Sequence, residues 1–295
     1  MRAIDPLRQA CTGCGGSCHG VRVRVLQDEV ASIVSLAMRL GVPDAVEDGR
    51  MRMIDGHCAL LDERGLCRLH AAGGSLAKPA VCRQYPLVVT DTGAERRVGL
   101  DPGCYTAWST RGADPLDTSE LLANPVRLDP AQERHEAGLA ALLGAPGITV
   151  AGALAPLVGD VLTFAERWAA HLRAPPLAAL LARSDTGDPA REALRPVLER
   201  VASGGPGPVV LPPELDAWAV DVTRRLVVLR LVPAFPFLPG LAVLSLGGAL
   251  ACAWTDPTPE VYARRLAAWT RVLRAPPWWG ALAPSPEAML ALLGR

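Results

Sequence analysis

The first hundred residues change pattern in short bursts. VRVRVL (21–26) sets valines against arginines with strict alternation, the mark of a strand with one wet face. Asp28 and Glu29 open the amphipathic run EVASIVSLAMRLG, which closes on Gly41; acid at the start and glycine at the end frame a helix. RMRMI (50–54) alternates again. ALLDERGLCRL (59–69) predicts two short strands about a turn at Glu63-Arg64-Gly65, and PLVVTDTGAERRVGL (86–100) a hairpin turning at Asp91-Thr92-Gly93. Together these predict a small α+β unit over residues 1–110. Its core is thin, and units of this kind often need a metal to hold them.

Beyond GADPLDTSE (112–120), which reads as a linker, the spacing becomes helical. Asp129-Pro130 offers an N-cap followed by proline at the first helical position, and Asp160 caps VLTFAERWAAHLR. PAREALRPVLERVA has apolar helical spacing. Leu215, Trp218, Val222, Leu226 and Leu229 fall on one face of a helix, as do Tyr262, Leu266, Trp269 and Leu273. Paired prolines at 175–176, 212–213 and 276–277 punctuate the series. Residues 120–295 therefore read as an all-helical domain. The uncharged stretch 231–255 raises a membrane question. Pro233, Pro236, Pro239 and Gly240 break its first third, and the remaining ~14 residues are too few for a span, which needs about 20. A buried core helix is expected instead, with Cys252 packed inside it.

Composition sharpens this division. All seven tryptophans follow residue 105, whereas seven of the eight cysteines precede it. Formal net charge is zero, so no basic surplus points to nucleic acid or to an acidic membrane surface. Of the 30 basic side chains all but Lys78 are arginine. A lone lysine in such a chain draws notice, because ammonium and guanidinium differ in geometry and hydration. The N-terminal MRAIDPLRQAC has no apolar export region, so a cytoplasmic location is expected. In that setting a cysteine cluster reads as metal-binding or catalytic rather than as a disulfide framework.

The cluster opens with CTGCGGSCHG (11–20), spaced C-x2-C-x3-C. A C-x2-C pair lets two thiolates reach one ion from a tight turn, and the neighbouring glycines free the backbone to bend around it. Cys58, Cys67, Cys82 and Cys104 follow, with His19, His57 and His70 nearby. Thiolates select zinc, copper(I) or iron–sulfur centres. Seven cysteines and one histidine would fill two four-coordinate sites, while one Fe4S4 cluster would leave three cysteines over. The spacing is compatible with either. His57 and His70 read as outer donors to the ligands or as turn residues, and His135 and His171 as surface or cap residues. Lys78 and Arg83 flank Cys82, where they would offset thiolate charge, bind an anionic cofactor group such as a carboxylate, or pair with nearby acids.

These residues carry a resemblance. C-x2-C-G, a third cysteine, an alternating strand, an acid-led helix, G-x-C-x-L-L-D-x-x-G-x-C-R-x-H, K-P-x-V-C-R-Q-Y-P and a last cysteine together resemble the YkgJ-type cysteine-cluster family, described as a zinc- or iron-chelating domain. The likeness covers roughly residues 8–105, and GLCRLHAAGGSLAKPAVCRQYP is its most specific part. The layout is also similar to the flagellin lysine N-methylase group, a cysteine cluster followed by a long helical region. The resemblance implies Cys11, Cys14, Cys18, Cys58, Cys67, Cys82 and Cys104 as ligands, and Lys78, Pro79, Arg83 and Pro86 as motif positions. Where the family commonly has two adjacent cysteines, this chain has Cys18-His19; either His19 replaces a thiolate ligand or one ligand is lost. In enzyme form the resemblance implies methyl transfer to a protein lysine from S-adenosylmethionine. No glycine-rich motif for that cofactor follows a strand here, so the cluster itself would have to build the site. The other readings are a structural zinc protein whose helices dock a partner, and a metal carrier.

Overall fold

A computed structural model describes residues 1–294 except 20, 117, 119, 120, 174–188, 233, 234, 236, 275–281, 283 and 284. The prolines at 175–176 and 276–277, together with Pro233 and Pro236, thus lie outside the described residues.

The chain folds as the α+β class expected, with short strands first and helices after. Strands β1 (Arg2–Ala3), β2 (Val46–Glu47), β3 (Arg50–Met51), β4 (Met53–Ile54), β5 (His57–Cys58), β6 (Leu87–Asp91) and β7 (Arg96–Leu100) precede residue 105, together with helices α1 (Val30–Arg39), α2 (Arg68–Gly73) and α3 (Ala80–Gln84). β8 (Ala123–Pro125) then leads into α4 (Pro130–Leu143), α5 (Val150–Val158), α6 (Val161–Leu172), α7 (Pro189–Ser203), α8 (Pro213–Val228), α9 (Leu238–Ala253), α10 (Pro259–Val272) and α11 (Pro286–Leu293).

The hairpin forms as the pattern predicts. β6 and β7 pair antiparallel from Leu87↔Leu100 to Asp91↔Arg96, and Gly93 takes a positive φ in the turn while its amide donates to Asp91 Oδ1 at 2.8 Å. Two partners had no signal in the sequence. β1 adds parallel to β7 and β8 adds parallel to β6, giving the order β1-β7-β6-β8. The fourth strand of this sheet therefore comes from within the stretch read as helical.

Three expectations are corrected. Residues 21–26 run extended but form no regular strand: one bridge, Arg24↔Arg50, and bonds from Val25 N to Gly49 O and from Met51 N to Val23 O are their described ladder contacts. Alternation still sorts the side chains, for Val25 is buried and Arg22 and Arg24 are exposed. The second arm expected at residues 66–69 makes a single bridge, Leu61↔Cys67, and turns at once into α2. Of the two readings of His171, surface or cap, the surface one is corrected: the residue is half-buried in the last turn of α6. It stacks on Trp168, and its Nε2 lies 2.8 Å from the Leu282 carbonyl; burial pushes its pKa down.

The helical caps follow the sequence closely. Asp129 forms a reciprocal capping box with Gln132, and Asp160 Oδ1 accepts from Thr163 N at 2.7 Å. The main core centres on α9, nearly all of whose residues are buried. Its two adjacent glycines admit aromatic rings. A side-chain carbon on Gly248 would lie 1.9 Å from Trp269 Nε1, and one on Gly247 would lie 3.0 Å from the Trp168 ring. Among the described residues no helix is long and apolar enough to cross a membrane.

The sheet is joined to the helices by polar contacts. Glu136 on α4 binds both Arg97 of β7 and Arg230, the second at 2.6 Å, and all three side chains are largely buried. Thr90 Oγ1 donates to Leu229 O at 2.6 Å. A smaller apolar core of Val25, Ile33, Ala37, Met51, Leu60 and Leu69 supports the cysteine-bearing loops.

Candidate metal centre

Each cysteine is placed by an identifiable local device. Gly13 and Gly15 both take positive φ, which lets residues 11–18 coil into a tight loop ending in a 3-10 turn at Gly16–Cys18. The loop is wedged against the segment that carries Cys67. Cys67 N donates to Gly13 O at 3.4 Å, and the Gly65 carbonyl oxygen occupies the space that a side chain on Gly15 would need. Asp62 shapes that second segment. Its Oδ1 accepts from Leu66 N at 2.8 Å and Arg64 N at 2.9 Å, bonds that hold its carboxyl below the usual range. The D-x-x-G part of the motif is thus a turn that presents Gly65 to Gly15.

Cys58 lies on β5, beside the isolated bridge His19↔His57 that sets the Cys18 segment alongside it. Cys82 lies on α3, which Glu29 anchors. The Glu29 carboxylate accepts from Ala80 N at 2.8 and 3.1 Å and lies 3.2 Å from Arg83 Nη2. Arg83 also donates to the Lys78 carbonyl at 2.7 Å. Arg83 therefore braces the turn before α3 and does not line the cavity described next, whereas Lys78 does.

All seven N-terminal cysteines, and His19, line one cavity of about 640 Å³. Lys78 is buried on its wall, and its ammonium donates to Cys11 Sγ at 3.4 Å. Cys104 is buried, with Thr106 Oγ1 3.4 Å from its sulfur and Gln9 Nε2 at 3.7 Å. Burial pushes the thiols of Cys18, Cys58, Cys82 and Cys104 up, Cys82 to about 12, and neighbouring thiols push them further. Unmetallated, these groups are protonated at neutral pH, and uptake of a metal would expel their protons. Among the described residues no three Cys, His, Asp or Glu side chains already stand close enough to grip an ion. A metal taken up here has to draw the thiols in from the wall.

The helical region supplies part of the same cavity, which no motif announced. Arg271, at the end of α10, donates through Nε to Gly103 O at 2.8 Å and through Nη1 to Gly16 O at 2.5 Å. Its guanidinium sits 4.5 Å over the Tyr105 ring. Arg274 binds both Asp101 oxygens at 2.7 Å. In a chain so rich in arginine these two had nothing in sequence to set them apart. Cys252, by contrast, is fully buried in α9, far from this role, as its apolar context indicated.

The donor set suits soft or borderline metals, since thiolates favour zinc and iron–sulfur centres. Residues 10–104 match the family model CxxCxxCC, described as a "putative zinc- or iron-chelating domain". No curated protein and no solved structure matches the chain.

Proposed function

From the premise that residues 10–104 form a cysteine-cluster domain of the metal-chelating kind, we propose that the protein holds zinc or an iron–sulfur centre in the thiol-lined cavity. The ligands are drawn from Cys11, Cys14, Cys18, Cys58, Cys67, Cys82 and Cys104, with His19 as the candidate where the family pattern has a further cysteine. The observation that carries this reading is the convergence of all seven thiols, from five separate chain segments, on one wall-lined space. Anaerobic purification with metal and sulfide analysis tests it. Brown protein with matched iron and sulfide supports the iron–sulfur form, and colourless protein with tightly held zinc supports the zinc form. Absence of both metals after reconstitution overturns the proposal.

The size of the cavity favours a working site over a purely structural one. Structural zinc sites are closed, four-coordinate and compact, whereas about 640 Å³ falls within the range of small-molecule pockets. An organic cofactor such as S-adenosylmethionine beside the metal is the form in which the lysine-methylase resemblance would apply, with a protein substrate held on the helical region. Calorimetric titration of S-adenosylmethionine into metal-loaded protein tests that form; no heat of binding overturns it and leaves the structural-zinc reading with a helical docking surface.

A further inference from the structure

A second cavity, of about 250 Å³, shares no lining residue with the thiol-lined one, and its polar lining is Arg8, Arg111, Trp218 and Arg225. We propose that it binds a small organic carboxylate, with the charged end among guanidinium and indole N–H groups and the body against apolar walls. This site is independent of the metal-binding reading, and either can fail without the other.

Three chain segments build the cavity. Trp218 and Arg225 lie two turns apart on α8 and so share a face. The N-terminal segment is laid across from them by backbone bonds, from Ile4 N to Val98 O at 2.9 Å and from Leu116 N to Leu7 O at 2.8 Å. The third segment carries Trp108, whose buried ring meets Trp218 edge-on at 5.3 Å and holds the Arg111 guanidinium 3.7 Å over its face. Pro6, Leu100 and Ala107 give the cavity its apolar sides.

The polar groups are unevenly satisfied. Arg111 is engaged, donating to Trp108 O at 2.9 Å and to Glu214 Oε1 at 2.7 Å. Arg225 is buried and lies 3.0 Å from Asp5 Oδ2 and 2.5 Å from Asp221 Oδ2. Its Nη1 nonetheless has no hydrogen-bond partner among the described residues, and neither has the buried Trp218 Nε1. Buried N–H donors are nearly always matched by an acceptor. Arg8 is exposed; it donates to Ala113 O at 3.3 Å, and among the described residues no carboxylate pairs with it. A carboxylate brings acceptor capacity for several N–H donors, and its charge complements Arg8. The apolar sides call for a ligand with a hydrocarbon body, which inorganic phosphate lacks.

The test titrates the whole chain with benzoate, with its neutral analogue benzamide and with inorganic phosphate, following binding by calorimetry and by the indole N–H resonances. Benzoate should saturate one site with a Kd of about 1 mM, and benzamide should bind at least about tenfold more weakly. The resonance that disappears in Trp218→Phe should be the one benzoate shifts in the wild type. Arg8→Met, a change at an exposed side chain, should weaken benzoate about tenfold. Trp218→Phe keeps a ring but loses the donor, and should weaken it too. No saturable benzoate binding to the wild type overturns the proposal, as does benzamide binding equally well. Affinity unchanged in both variants places any binding elsewhere and overturns the site. Phosphate binding tighter than benzoate overturns the class of ligand. Because the wild-type titration needs no variant, a variant that folds poorly leaves the proposal open to refutation.

Discussion

Gly15 and Gly65 touch so closely that a side-chain carbon on Gly15 would fall 1.7 Å from the Gly65 carbonyl oxygen. Gly15 also has a positive φ, so substitution meets both a steric and a conformational obstacle. Gly15→Ala should therefore push the first cysteine loop off the Cys67 turn. The expected cost is about 2–4 kcal/mol of stability together with lower metal content, measured by thermal denaturation and by elemental analysis of the washed protein. Unchanged values in both would show that the contact is dispensable.

Arg271 makes the complementary contact from the helical side. Its guanidinium satisfies two carbonyls, Gly16 and Gly103, on either side of the cavity. Arg271→Ala should leave both short of a donor, lower stability by about 2–4 kcal/mol and speed release of metal to a chelator. Arg271→Lys, which cannot span both carbonyls, should recover little. A chelator rate equal to wild type would remove Arg271 from any role in positioning the loops.

Cys252 provides the contrast. It is fully buried in apolar surroundings, and burial raises its thiol to about 12. Cys252→Ala should keep full metal content and cost only about 1 kcal/mol of packing, whereas Cys82→Ser should lose metal. Metal loss in Cys252→Ala, checked by the same elemental analysis, would contradict the assignment of this cysteine to the core.

Asp5 carries a pH signature of its own. Its carboxyl is nearly fully buried, with Arg225 Nε 3.0 Å from Oδ2. Burial outweighs the arginine and raises its pKa from 3.8 to about 6. The folded state thus holds the proton more tightly than the unfolded one. This group contributes most below pH 3.8, and that contribution, about 3 kcal/mol, is lost as pH rises through 6. The stability of the wild type relative to Asp5→Asn should accordingly fall between pH 4 and pH 7. Parallel urea titrations across that range check it, and a flat difference would refute it.

Much of this arrangement could be read from local pattern. The hairpin at Asp91-Thr92-Gly93, the Asp129 and Asp160 caps and the buried run 238–253 all announce themselves, because each depends on neighbours within a few residues. β1 and β8 do not. Each is two or three residues long, and its partner lies far along the chain, so no periodicity can build up. Lys78 stood out by its uniqueness and lines the cavity. Arg83 shared its motif yet turns to Glu29, a choice made by tertiary contact that spacing does not encode. Arg271 and Arg274 reach the cavity from more than 165 residues beyond Cys104, and only the fold brings them there.

The buried knot of Arg97, Glu136 and Arg230 has a dynamic consequence. It fastens the strand hairpin to two helices, and Thr90 adds a further bond to Leu229 beside it. With such a seam the sheet and the helical bundle should open together rather than in turn, as one cooperative exchange unit. Slowly exchanging amides deep in α9, none of whose residues lines the thiol cavity, would then register the arrival or departure of the metal.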